Sequence, residues 1–118
     1  MVKSIRTEEE WNEVVDQVLT ADAIIVLTMD DDEPIKKEVL SILKERSPDT
    51  EVIDIEPELY KDKFTGERFA FAPPGIIFFV KGEPVWRSDL GILDLNDHAW
   101  NDMILHNMIY KFFEGKDI

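Results

Sequence analysis

Hydrophobic residues along this chain follow two spacings, one typical of amphipathic helices and one typical of buried strands. Apolar residues recur every three or four positions over 8–20 and 33–46, which predicts two helices with one apolar stripe each. Continuous apolar runs occupy 23–29 and 75–80, and residues 51–56 alternate between acidic and apolar. Short runs rich in β-branched and aromatic residues predict strands at these three places.

Several residues mark where further elements begin. Thr7 and Glu10 have the spacing of a capping box, in which each side chain accepts a hydrogen bond from the other residue's backbone N–H. Pro57 suits the first turn of a short helix, because the N–H that proline lacks would have no partner there. Asn96 or Asp97 can cap a last helix, which carries the apolar residues Trp100, Met103, Ile104, Leu105, Met108, Ile109, Tyr110, Phe112 and Phe113.

A hairpin is predicted near the middle of the second half of the chain. The pair Pro73-Pro74 precedes the apolar run 75–80, and Lys-Gly-Glu at 81–83 offers a turn into residues 84–89. Strands joined by so short a turn must be antiparallel neighbours. Residues 69–80 contain no charged side chain, so the first strand of the hairpin is expected to be buried.

The order of elements predicts one α/β domain that spans residues 1–118. Strands 23–29 and 51–56 are separated by a helix, so we expect them to be parallel and joined by a right-handed crossover. Together with the hairpin and a small strand at 2–5, they give a mixed sheet of four or five strands. Helices on both faces would complete a three-layer α/β/α architecture.

The composition restricts the chemistry that the chain can perform. Its 26 acidic and 13 basic residues give a net charge of −13, which argues against direct contact with nucleic-acid phosphates and favours a basic partner or simple solubility. The chain has no cysteine, so disulfides, thiol catalysis and thiolate metal sites are excluded. Residues 1–21 lack a signal-peptide pattern and no apolar run could span a bilayer, so we expect a cytoplasmic protein without membrane contact.

Candidate catalytic groups have structural explanations. Asp30, Asp31 and Asp32 precede Glu33, and consecutive carboxylates cannot all point at one ion, so helix capping and solvation explain them better than a metal does. His98 and His106 are eight positions apart, too far for the i, i+4 spacing of helical metal ligands. We therefore expect no enzyme activity, no cofactor and no metal.

The order of elements and the segment 74–83 resemble the thioredoxin fold over nearly the whole chain. In that family a cis-proline precedes an apolar strand and a Lys-Gly-Glu hairpin turn, and a glycine follows where Gly91 stands here. The resemblance implies that Pro74 occupies the cis-proline position, with Pro73 as the alternative. It also implies a groove beside this proline that receives an extended peptide.

The chain departs from the redox members of that family at one decisive place. Where they carry Trp-Cys-x-x-Cys, residues 28–34 read Thr-Met-Asp-Asp-Asp-Glu-Pro. The resemblance therefore implies a redox-inactive member that binds a protein or peptide, in the manner of an adaptor or chaperone. The residues expected to contact the partner are Met29, Asp30, Asp31, Asp32, Ala72, Pro73, Pro74, Gly75 and Trp86.

Three alternatives stay open on the sequence. An acidic inhibitor could block a basic, nucleic-acid-binding partner through its charge alone. The last helix has more apolar residues than one stripe needs, so it either packs around the edge of the sheet or leaves a patch for another protein or for a second copy in a homodimer. Residues 25–35 also resemble the first strand and acidic pocket of a response-regulator receiver, but Asp54 lies inside a strand and no strand-terminal lysine follows it at a suitable spacing, which disfavours a receiver.

Overall fold

The chain forms a five-stranded mixed sheet with helices on both faces. The computed structural model describes residues 2–28, 33–64 and 74–114. Its strands are β1 (Val2–Ile5), β2 (Ala23–Leu27), β3 (Glu51–Ile55), β4 (Gly75–Val80) and β5 (Glu83–Asp89). Its helices are α1 (Glu8–Thr20), α2 (Glu33–Arg46), α3 (Pro57–Lys63) and α4 (His98–Phe113), and a 3₁₀ turn lies at Leu90–Ile92.

The strand order across the sheet is β1-β3-β2-β4-β5. Strands β1 and β2 both run parallel to β3, whereas β4 is antiparallel to β2 and to β5. The predicted parallel pair, the hairpin and the small first strand are therefore confirmed, and so is the α/β fold class. Strand β2 ends at Leu27, two residues before the predicted end at Met29, which lies outside the described residues.

Two apolar clusters fill the space between the sheet and its helices. Trp11 of α1 and Tyr60 of α3 pack on one face of the sheet, whereas Leu43 of α2 and Leu105 of α4 pack on the other. Strands β2 and β4 contribute to both clusters, because successive side chains of a strand point to opposite faces. This arrangement explains why both strands are apolar without interruption.

The hairpin turn between β4 and β5 requires its glycine. Lys81 and Gly82 have positive φ angles of 50° and 84°, and the backbone N–H of Lys81 donates to Oδ1 of Asp22 at 3.0 Å. A Cβ atom on Gly82 would lie 1.9 Å from the backbone oxygen of Leu19. The turn therefore packs directly on the end of α1, where no side chain fits.

Helix α4 is partly core and partly exposed, so each of the two alternatives for it describes one side of the helix. Asn101, Leu105 and Ile109 form its buried stripe. Trp100 and Met103 are 43% and 45% exposed. The excess of apolar residues in α4 thus produces a surface as well as a core contact. No helix in the described part of the chain is long and apolar enough to cross a membrane.

Candidate functional site

The end of β2 and the start of β4 lie side by side, at the place where the peptide groove was predicted. Gly75 pairs with Leu27 on one side and with Asp89 on the other. Gly75 is buried and Pro74 is half-buried. The other predicted groove residues lie outside the described part of the chain; they are Met29, Asp30, Asp31, Asp32, Ala72 and Pro73.

A buried carboxylate on β3 ties the sheet to the first turn of α2. The Asp54 side chain is only 5% exposed, and its Oδ2 lies 2.8 Å from Nη2 of Arg6 and 3.6 Å from Nζ of Lys36. Lys36 also lies 2.8 Å from the carboxylate of Glu33, one turn earlier in α2. The Ser4 hydroxyl donates to Asp54 at 3.4 Å. Charges of alternating sign therefore compensate one another along this chain of contacts.

This network explains how α2 is held near the predicted groove. The hydrogen bond from Lys36 lowers the pKa of Glu33, so Glu33 remains an anion and an ion-pair partner. Because Oδ2 of Asp54 forms ion pairs with Arg6 and Lys36, we interpret Asp54 as a structural group and not as a receiver phosphoacceptor. No group of three acidic or histidine residues that could hold a metal occurs among the described residues.

An exposed groove lies between β5, the 3₁₀ turn and α4; we call it the aromatic surface. Its volume is about 330 Å³, and its apolar lining consists of Trp86, Ile92, Trp100, Ile104, Met108 and Phe112. The Trp86 ring stacks on Phe112, with centroids 5.3 Å apart. The Trp100 indole N–H donates to the carbonyl oxygen of Ile92 at 2.8 Å. Both indoles are therefore held in fixed orientations although each is 43% exposed.

The aromatic surface lies apart from Gly75, which is one of the described residues of the predicted peptide groove. Trp86 pairs with Phe78 in the sheet, three residues along β4 from Gly75, which corresponds to about 10 Å at the usual rise of a strand. The sequence predicts Trp86 as a contact residue, but it does not indicate that Ile92 and Trp100 line the same groove. Only the folding of the 89–97 connector against α4 brings these side chains together.

Acidic side chains flank one end of the aromatic surface. Asp89 accepts from the backbone N–H of Gly91 at 2.8 Å, Asp94 from that of Asn96 at 2.9 Å, and Asp97 from that of Trp100 at 3.0 Å. These bonds order the connector, which carries three exposed acidic residues and contributes Ile92 to the lining of the groove. The base that lines the groove is Lys111, near the other end of α4.

Two polar contacts join the exposed side of α2 to α4. The guanidinium Nε of Arg46 donates to Oδ1 of Asp102 at 2.8 Å. Nδ1 of His98 lies 2.6 Å from Oε1 of Glu38, and this hydrogen bond raises the pKa of His98 because it favours the charged imidazolium. Both contacts join α2 to α4 and support the packing of the two helices.

No family model matches the chain, and no curated protein matches it. Solved structures do match. Thioredoxin O2 from Arabidopsis thaliana, in its oxidized state, superposes with a TM-score of 0.64 and 18% identity, over 95% of this chain and 94% of that one. A putative oxidoreductase with a thioredoxin fold has a TM-score of 0.54 and 15% identity, over 86% of this chain and 93% of that one.

A third structure, a redox protein from Chlamydomonas reinhardtii, has a TM-score of 0.51 and 19% identity, over 75% of this chain and 30% of that one. Identities this low support the fold and nothing finer. Each of these proteins is named for redox chemistry or for its relation to thioredoxin, whereas the present chain contains no cysteine. The chain therefore has the thioredoxin-like fold that its sequence predicted, and it has no thiol of its own for disulfide exchange.

Proposed function

We propose that this chain is a non-catalytic protein-binding module built on a thioredoxin-like fold. The observation that supports the proposal is the aromatic surface, where Trp86 and Trp100 are each 43% exposed although the fold has a well-filled core. Contiguous exposed apolar groups commonly mark interaction sites. Tryptophan is among the residues that contribute most to binding energy at protein interfaces.

The chemistry of the chain supports recognition over catalysis. Thiol–disulfide exchange begins with attack by a thiolate, and the sequence supplies none. The buried carboxylate of Asp54 is occupied by Arg6 and Lys36. Glu10, whose pKa is lowered by a hydrogen bond from the backbone of Arg6, belongs to the capping box of α1.

The peptide groove beside Pro74 is part of this proposal as a second contact. It rests on the resemblance to the thioredoxin family and on the position of Pro74 and Gly75 next to the end of β2. In that family an extended chain pairs with the backbone beside the proline. A partner that used both places would cross about 10 Å of sheet between Gly75 and Trp86.

The alternative function, an acidic inhibitor of a basic nucleic-acid-binding protein, is supported by the net charge of −13. It uses long-range attraction and does not need the exposed tryptophans. Salt distinguishes the two, because exposed charges are screened beyond about 8 Å at physiological ionic strength. Contact through buried aromatic rings depends much less on salt.

The test compares partner capture by the chain and by three variants from an extract of its native cells. The variants are Trp86→Ser/Trp100→Ser, Pro74→Ala, and Leu19→Ser as a control. Leu19 is 45% exposed on α1, so its replacement removes a similar exposed apolar group away from the aromatic surface. Bound proteins are quantified by mass spectrometry at low and high salt.

The proposal expects a protein that the Leu19→Ser variant retains and the double tryptophan variant loses, at both salt concentrations. Loss on Pro74→Ala as well would support the second contact. If all three variants capture the same proteins as the unchanged chain and this capture disappears at high salt, the binding-module proposal is wrong and the acidic inhibitor is supported.

A further inference from the structure

We propose that the aromatic surface receives a basic, amphipathic segment of a partner protein, whose apolar side chains enter the groove while its bases face the 89–97 connector. This inference rests on the proposed binding function and goes further by naming the chemistry of the partner. It follows from the arrangement of apolar and charged groups around one groove.

The groove itself selects apolar side chains. Six of its lining residues are apolar or aromatic, and Asn107 and Lys111 complete the lining. The Trp86 ring is supported from below by Phe112, which in turn contacts Phe78 with ring centroids 5.8 Å apart. The walls of the groove are thus fixed by contacts with the core, which reduces the entropy that would be lost when a partner binds.

The charges beside the groove select basic groups. Residues 88–110 contain four acids and neither lysine nor arginine. Asp102 is paired with Arg46, but Asp89, Asp94 and Asp97 are exposed, and within the described part of the chain none of the three forms an ion pair. Their carboxylates contact only nearby N–H groups of the chain. A segment with bases at this end would therefore meet the negative potential of the acidic connector.

The distribution of charge also sets the direction of the segment. Lys111 lines the groove on the C-terminal half of α4, and its ammonium lies 5.6 Å from the centroid of the Phe112 ring. Bases of the partner are therefore expected beside the connector and not beside Lys111. A second copy of this chain packed groove to groove fits less well, because the base that lines its groove is Lys111 and because it would carry a further net charge of −13.

The experiment uses the full chain and three synthetic peptides of equal length. The first places leucine and lysine at the spacing of an amphipathic helix, the second replaces each lysine by glutamate, and the third replaces each leucine by serine. Affinity is measured by calorimetry. The site is located from the indole N–H signals of Trp11, Trp86 and Trp100 in nitrogen-15 NMR spectra, where Trp11 is fully buried and serves as an internal control.

Two triple variants separate local charge from total charge. Asp89→Asn/Asp94→Asn/Asp97→Asn removes the connector charges, and asparagine retains the side-chain oxygen that accepts the local hydrogen bonds. Glu9→Gln/Glu13→Gln/Asp16→Asn removes the same number of exposed charges from α1. Circular dichroism confirms that both variants are folded.

We expect the leucine–lysine peptide to bind best. It should shift the indole N–H signals of Trp86 and Trp100 and leave the signal of Trp11 unchanged. The connector variant should bind this peptide about 3- to 30-fold more weakly, as expected for three exposed charge pairs, and the α1 variant by less than about twofold. Binding that needs the tryptophans but is unaffected by the connector variant would overturn the basic segment and leave the binding module intact. Equal binding of the glutamate peptide would overturn the inference in the same way.

The oligomeric state of the free chain is measured as well. Sedimentation should show a monomer at the concentrations used for binding. A dimer that dissociates in the Trp86→Ser/Trp100→Ser variant would show that a second copy occupies the groove, which would overturn the inference. Two results together would overturn the proposed function itself. The NMR signals of Trp86 and Trp100 would not shift with any peptide, and the Trp86→Ser/Trp100→Ser variant would capture the same proteins from the native extract as the unchanged chain.

Discussion

The indole of Trp86 stacks on the ring of Phe112, with centroids 5.3 Å apart and planes inclined by 21°. The contact joins the edge strand β5 to the last turn of α4. Phe112 in turn meets Phe78 of β4 edge-to-face, so the exposed indole is connected to the core through one intervening ring. The aromatic surface is therefore a rigid extension of the core and not a set of separate exposed side chains.

Replacing Trp86 by alanine should affect binding more than stability. The Trp86 side chain is 43% exposed, and loss of one aromatic pair together with partial burial should lower the free energy of unfolding by about 1–2 kcal/mol. Trp11→Ala is the matched comparison, because Trp11 is 0% exposed and should lose about 3–5 kcal/mol. Urea unfolding followed by circular dichroism measures both. Equal losses would contradict the assignment of Trp86 to a binding surface.

Neutralising Asp54 should loosen the start of α2. Asp54→Asn leaves Lys36, whose side chain is 12% exposed, with Glu33 as its one remaining ion-pair partner among the described residues. Removing one member of a buried pair costs about 3–5 kcal/mol. We expect about 2 kcal/mol here, because Arg6 is 42% exposed and can be solvated.

Asp16→Asn on the exposed side of α1 is the control for this substitution and should change stability by less than about 0.5 kcal/mol. Hydrogen exchange then tests the location of the effect. Amides in the first turns of α2 should lose protection in Asp54→Asn and keep it in Asp16→Asn. Unchanged protection would show that the network does not hold the helix.

Adding a methyl group at Gly82 should disrupt the hairpin. Gly82→Ala places Cβ 1.9 Å from the backbone oxygen of Leu19 at a φ of +84°, so either the turn or the end of α1 must move. We expect a loss of more than about 2 kcal/mol. Gly91→Ala is the comparison: its Cβ would meet only the Asp89 side chain, at 3.0 Å, and should cost about 1 kcal/mol or less. Thermal unfolding ranks the two variants.

The contact between His98 and Glu38 should make stability depend on pH. The hydrogen bond to Glu38 raises the pKa of His98 above its ordinary value of 6.5. The resulting stabilisation is complete below pH 6.5 and is lost as the pH rises through the raised pKa of the folded state. Glu38→Gln should return the His98 pKa toward 6.5 in an NMR titration. An unchanged titration would show that the two side chains are not paired in solution.

The bounds of most elements could be predicted from the sequence because their signals are local. The capping box of Thr7 and Glu10 marks the start of α1, and both of its hydrogen bonds are present. Asp97 caps α4 as one of the two predicted residues. The turn at Lys81 and Gly82 and the continuous apolar runs of β2 and β4 likewise depend on residues close together in the chain.

The network around Asp54 was not predicted, because its members are far apart in sequence. Arg6, Lys36 and Asp54 meet only after β1 and β3 pair and α2 packs across them. One local signal was present. The alternation of side chains along β3 places Asp54, an acid, on the face of the sheet that α2 covers. An isolated carboxylate at such a position indicates a buried cation partner but does not identify it.

By itself, the sequence determined the fold class, the order of helices and strands, and the absence of thiol chemistry, since periodicity, capping and composition are properties of neighbouring residues or of the whole chain. The tertiary structure decided which apolar residues remain exposed. Helix α4 has more apolar side chains than one contact face can cover, and only the packing of α4 beside β5 leaves Trp100 outside the core, on the same groove as Trp86. A binding surface of this kind depends on what the sheet leaves uncovered, which no local pattern encodes.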